Sequence, residues 1–187
     1  MTLDADDLEE QGPGEDALKR WFKRFGRAMA FYSGTFEDEG FDALIPALVG
    51  SALLETLLWV AARFMGWEPK RNTNRTLPLG PAIDVALQYG AIGDDNAARL
   101  RAFMKIRNGL AHVLDYELNV PDVKALRALM PPEKEANLVA AARNIFPEMP
   151  LSTEAVLLYE MVVELTFKET QERVGDQLGL PRGSDDT

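Results

Sequence analysis

The chain has 187 residues, 47% hydrophobic and 27% charged, with no cysteine, one histidine and a formal charge of −10, which fits a single globular domain able to bury a sizeable core. The lack of Cys excludes disulfides and thiolate metal sites, so a zinc site would have to rest on His112 plus carboxylates. No basic stretch followed by an apolar one opens the chain, so no signal peptide is expected and a reducing cytoplasm is the expected location.

Residues 1–16 hold seven acids (Asp4, Asp6, Asp7, Glu9, Glu10, Glu15, Asp16) and no base. With the Gly12-Pro13-Gly14 break, residues 1–15 read as an acidic disordered tail, and residues 178–187 as a second one. Between them, residues 16–177 read as one helical domain whose charges nearly balance. The overall charge opposes long-range attraction to nucleic acid but does not forbid a local basic pocket.

Residues 16–32 place Leu18, Trp21, Phe22, Phe25, Met29 and Tyr32 mostly at three- and four-residue steps, which predicts an amphipathic helix. Lys19, Lys23, Arg24 and Arg27 lie elsewhere around it. Residues 41–66 are apolar nearly all round. Glu55, Ser51, Pro46 and Gly50 argue against a membrane span there and for a central core helix. Residues 67–80, with two prolines, predict a loop carrying Lys70, Arg71 and Arg75.

A short helix is expected over about 81–91, ending near Gly90 or Gly93. Asp94 and Asp95 are candidate N-caps for a helix over about 96–113. Asn119-Val120-Pro121 is another helix-start signal. Pro131-Pro132 breaks the run, 133–145 predicts a further helix, and the last long helix is expected over about 152–175. No run of alternating β-branched residues is long enough for a sheet core. The expected class is all-α, an up-and-down bundle of four or five long helices plus short ones.

Phosphate-cradling glycine loops, dinucleotide fingerprints, H-E-x-x-H and nucleophile elbows are all absent from the sequence. The segment that stands out is Leu100 to His112. Four bases (Arg99, Arg101, Lys105, Arg107) occur with no acid between Asp95 and Asp115. Asn108 and His112 are four residues apart and share a helix face, so Asn108 can orient the imidazole. Arg107 and His112 are five apart, which on a helix separates them by ~140° and ~7.5 Å along the axis. Two copies about a twofold axis would pool them in one cleft. Gly109 and Ala111 permit close helix approach. Glu55, alone in an apolar helix, needs compensation, and Arg107 is the expected partner. Arg99, Arg101 and Lys105 read first as a solvated face and second as a binding track, while Trp21, Phe22, Phe25 and Trp59 read as core before base-stacking platforms.

Arg107-Asn108-Gly109-Leu110-Ala111-His112 resembles the R-x-x-x-x-H motif of the HEPN superfamily. Ala52-Leu53-Leu54-Glu55, Leu77-Pro78-Leu79-Gly80 and Ala86-Leu87-Gln88-Tyr89-Gly90-Ala91-Ile92 precede it in an order similar to the mannitol operon repressor (MltR) branch, over residues 41–175. The resemblance implies a dimeric helical bundle needing no cofactor or metal. In the MltR branch it implies a transcription regulator that works through protein partners without reading DNA. In the ribonuclease branch it implies metal-independent RNA cleavage by a toxin or defence effector with an antitoxin partner. There Arg107 would stabilise charge on the phosphorus and His112 would move or orient protons, with Asn108 beside them. Glu55, Arg99, Arg101 and Lys105 are the candidate binding residues.

Overall fold

The computed structural model of the chain describes residues 19–28, 43–69, 77–112, 118–134, 136 and 150–179. The secondary structure among the described residues is helical, without a strand. Helix α1 covers residues 19–28, α2 Leu44–Phe64, α3 Leu79–Gln88, α4 Asp94–His112, α5 Val120–Arg127 and α6 Leu151–Gln177. The all-α expectation is met. The acidic stretch 1–15, most of the C-terminal stretch, the basic residues Lys70, Arg71 and Arg75, and most of the helix expected over 133–145 lie outside the described residues.

The core is built around α2. Its second half is buried on every side, with Leu57, Leu58, Trp59, Val60, Ala61 and Ala62 at most 3% exposed. It packs against α6 and α3 and also touches α4. By length and composition α2 could cross a membrane, yet 56% of its apolar window is already buried inside the fold, as in a central core helix. A two-turn stripe of its N-terminal half remains uncovered: Ile45, Leu48 and Val49 are 47%, 38% and 41% exposed.

Both α2 and α3 end where a glycine takes a positive φ that a side chain would resist, Gly66 at 93° and Gly90 at 77°. At each end the glycine N–H and the next N–H fold back on the last carbonyls. Gly66 donates to Arg63 and Trp67 to Ala62; Gly90 donates to Leu87 and Ala91 to Ala86. These paired bonds satisfy carbonyls that the helix leaves open. Trp59 lies over the Arg63 guanidinium at 4.8 Å, in the last turns of α2.

Helix α1 is held by aromatic rings. Phe25 stacks on Trp21 and on Phe167 of α6, with centroids 5.3 and 5.2 Å apart, and Phe22 meets Phe167 edge-on at 5.6 Å. Trp21, Phe22, Phe25 and Trp59 are all buried, as the sequence pattern predicts for core. Deeper in the bundle, Phe103 of α4 meets Tyr159 of α6 edge-on at 5.1 Å.

Candidate functional site

The segment singled out by the sequence is α4. Its apolar register (Ala97, Leu100, Phe103, Ile106) is fully buried, which fixes the rotation of the helix and hence where its charged residues emerge. It packs on α3 and α2 on one side and on α5 and α6 on the other. The start of the helix differs from expectation. Asp94 and Asp95 lie in its first turn rather than capping it. The cap-like acceptor comes instead from α6, where Glu169 Oε1 accepts from Gly93 N–H at 2.7 Å. Glu169 is itself held by Arg173 Nε at 2.7 Å. A Cβ at position 93 would lie 2.6 Å from Arg173 Nη2 and 2.9 Å from Glu169 Oε1, so a glycine is what lets this clamp close on the backbone.

The four bases of α4 do not form one cationic track. Arg101 pairs with Asp84 of α3 at 2.8 Å and Lys105 with Asp122 of α5 at 2.7 Å. Arg99 reaches across to the Leu129 carbonyl at 3.3 Å. Asp122 is placed by the start of α5, where the Asn119 side chain accepts from its N–H at 2.9 Å, the cap expected from Asn119-Val120-Pro121. Three of the four candidate bases therefore tie α4 to its neighbours.

Arg107 is half-buried and donates through Nη1 to Asn108 Oδ1 at 3.0 Å, while its Nε is buried without a hydrogen-bond partner. Asn108 is exposed, and so is His112, the last residue of α4. Asn108 thus holds the guanidinium rather than the imidazole. The helix runs unbroken from Arg107 to His112, so the two side chains leave it in directions ~140° apart. Gly109 is buried, in keeping with a close-packed position.

The expected Glu55–Arg107 ion pair is not formed. Glu55 Oε1 accepts instead from the Leu79 N–H at 3.0 Å, at the start of α3. The N-cap residue of α3 is Pro78, which offers no side-chain acceptor, and the carboxylate from α2 takes that place. Glu55→Ala should cost about 1–2 kcal/mol, the loss of a cap bond, with Glu55→Gln milder because the amide oxygen still accepts. Because Glu55 and Arg107 share no contact, Glu55→Ala and Arg107→Ala should add within about 0.5 kcal/mol in urea unfolding. A larger coupling would restore Arg107 as the partner.

Sequence reasoning missed two features. One is the pair of carboxylates, Glu55 and Glu169, that hold the starts of α3 and α4. The other is a polar pair inside the bundle: Asn96 and Thr166 are both fully buried. Thr166 Oγ1 lies 3.0 Å from Asn96 Oδ1 and 2.7 Å from the Val162 carbonyl, two acceptors for one proton. The Asn96 Nδ2 has no partner in this orientation. An amide turned by half a revolution donates to the hydroxyl and frees that proton for Val162. The signal was present in the spacing, since Asn96, Leu100 and Phe103 follow one helical register, with a polar residue where an apolar one is the rule. Compared with protein-family models, curated proteins and solved structures, the chain matches none of them.

Proposed function

We propose that the chain is a dimeric regulatory protein of the MltR-like HEPN group, acting by binding proteins rather than by reading DNA. The observation that carries this reading is the uncovered apolar stripe on α2. Ile45, Leu48, Val49 and Ala52 follow three- and four-residue steps on one face, and no charged residue occurs between Leu44 and Leu54. In a chain of charge −10, such a face lets two copies meet without bringing like charges together. Compensation of Arg101 and Lys105 by Asp84 and Asp122 supports the same reading, because a nuclease of this kind needs an open positive cleft. One observation favours the ribonuclease alternative. The hydrogen-bond partner of Arg107 is a neutral amide, which leaves its charge available to a phosphate, and His112 is exposed.

Mixed RNA incubated with the pure protein in EDTA separates the two readings. We expect no cleavage, by wild type or by His112→Ala; metal-free cleavage lost in the variant overturns the regulatory reading. In sedimentation velocity, wild type should run as a dimer and a Leu48→Asp/Val49→Asp double variant as a folded monomer. A monomeric wild type, or a dimer indifferent to these changes, removes the stripe from the interface.

A further inference from the structure

Resting on the dimeric reading above, we propose that α2 pairs with the α2 of a second copy running antiparallel to it. Ile45 of one copy then faces Ala52 of the other, and Leu48 faces Val49. All four residues are exposed. At 100° per residue they fall within an arc of ~100°, over ~10 Å of helix axis. The strip closes further along the helix, where Trp59 and Val60 on the same side are 3% and 2% exposed. Thr56 lies between, half-buried, and its hydroxyl donates to the Ala52 carbonyl at 3.0 Å, so it brings no unmet polar group to the edge.

The order of side chains decides the occupant. Positions 45, 48, 49 and 52 are symmetric about the midpoint between Leu48 and Val49. A twofold axis through that point, perpendicular to the helix, sets each Ile45 against the small Ala52 of the other copy. Helices at the usual spacing interdigitate when large side chains face small ones. With the axis along the helix instead, Ile45 meets Ile45 and Ala52 meets Ala52, which wedges the pair apart at one end and leaves a void at the other. That arrangement also aligns the two helix dipoles side by side. No charged residue occurs between Leu44 and Leu54, so neither copy buries a charge. A foreign protein has no reason to carry this spacing, whereas a second copy carries it by construction. Four side chains on each copy make a small contact beside the roughly 20–30 residues of a standard interface, so the dimer exchanges its subunits readily.

Antiparallel pairing keeps the two α4 surfaces apart. Glu55 holds the start of α3, and Met104 of α4 lies against that start, its Sδ 3.4 Å from where a Cβ on Gly80 would be. Glu55 is about 6.5 residues from the axis, so the twin Glu55 positions lie ~20 Å apart along α2. Each copy then presents its own α4 surface, and the basic turns around Arg107 do not merge into one cleft.

The absence of cysteine from the chain makes the orientation directly testable. Ile45→Cys and Ala52→Cys proteins, mixed in equal amounts and oxidised, should give a covalent dimer holding one of each. Either protein alone should stay uncrosslinked, because like positions are ~10 Å apart along the axis, beyond the ~7 Å reach of a disulfide. Cross-linking of either protein with itself overturns the antiparallel pairing. No covalent dimer from the mixture, with wild type dimeric in sedimentation velocity, places the contact elsewhere and overturns the proposal while leaving the dimeric reading standing. A monomeric wild type removes both. A size exchange gives an independent reading on variants whose circular dichroism matches wild type. Ala52→Ile should weaken the dimer roughly tenfold, and Ile45→Ala/Ala52→Ile should return to within roughly threefold of wild type, because the facing pair is then the same two side chains exchanged. A double variant no tighter than Ala52→Ile means that the two positions do not meet, and overturns the proposal.

Discussion

Replacing Phe25 with alanine should lower the stability of the protein by about 3–5 kcal/mol, the range for deleting a fully buried aromatic side chain. Phe25 is 0% exposed and sits between Trp21 and Phe167, stacked on both. Its removal leaves a ring-sized void and strips Phe167 of one of its two neighbouring rings. Each lost aromatic pair adds about 0.5–1.5 kcal/mol to the burial term. For a chain of this size the melting temperature should fall by roughly 6–20 °C, taking 2–4 °C per kcal/mol.

These rings anchor α1 on α6, so circular dichroism of Phe25→Ala should show lost helix as well as an earlier urea midpoint. Lys23→Ala, on the exposed side of the same helix, should stay within about 0.5 kcal/mol of wild type. If Phe25→Ala costs less than 1 kcal/mol, α1 is not part of the cooperative unit.

The ring cluster was legible because Trp21, Phe22 and Phe25 repeat on one helical face, a local pattern that needs no knowledge of the partner. Asn119 as the cap of α5 was legible for the same reason, since cap and helix are contiguous. The starts of α3 and α4 were not. Their acceptors, Glu55 and Glu169, lie 24 and 76 residues away from the N–H groups they serve. Local signals at 94–95 therefore pointed to the wrong residues. Glu55, a carboxylate in an apolar helix, does need a partner. A helix-start N–H answers that need as well as a guanidinium does, so Glu55 accepts from Leu79 and not from Arg107. Likewise Arg101 and Lys105 were visible as a basic run, but Asp84 and Asp122, each 17 residues distant, become their partners only once α3 and α5 pack against α4. The apolar character of α2 was plain from its composition. Which side stays uncovered over its first two turns is decided by where α6, α3 and α4 lie.

Asn96→Asp should be the more revealing of the large perturbations, because its cost should depend on pH. The side chain of Asn96 is fully buried and faces Thr166, whose single hydroxyl proton also has the Val162 carbonyl within reach. A carboxylate there gains at most that one shared proton and no cation among the contacts of the wild-type amide. An uncompensated buried charge costs about 3–5 kcal/mol, which is the destabilisation expected at pH 7. Burial disfavours the charged form, so the folded-state pKa of the new acid lies above its unfolded value near 3.9. A group whose folded pKa is raised binds more protons in the folded state than in the unfolded one. Its penalty is therefore absent below the unfolded pKa and grows as pH rises through the folded one. The difference between wild type and Asn96→Asp in urea midpoints should then shrink from pH 7 toward pH 4, although wild type itself titrates over that range. Asn96→Leu, which removes the polar group and keeps similar volume, should cost less than Asn96→Asp at pH 7 and show no such trend. A constant difference between wild type and Asn96→Asp across pH 4–7 would mean that water reaches position 96 and that the α4–α6 interface is not closed there.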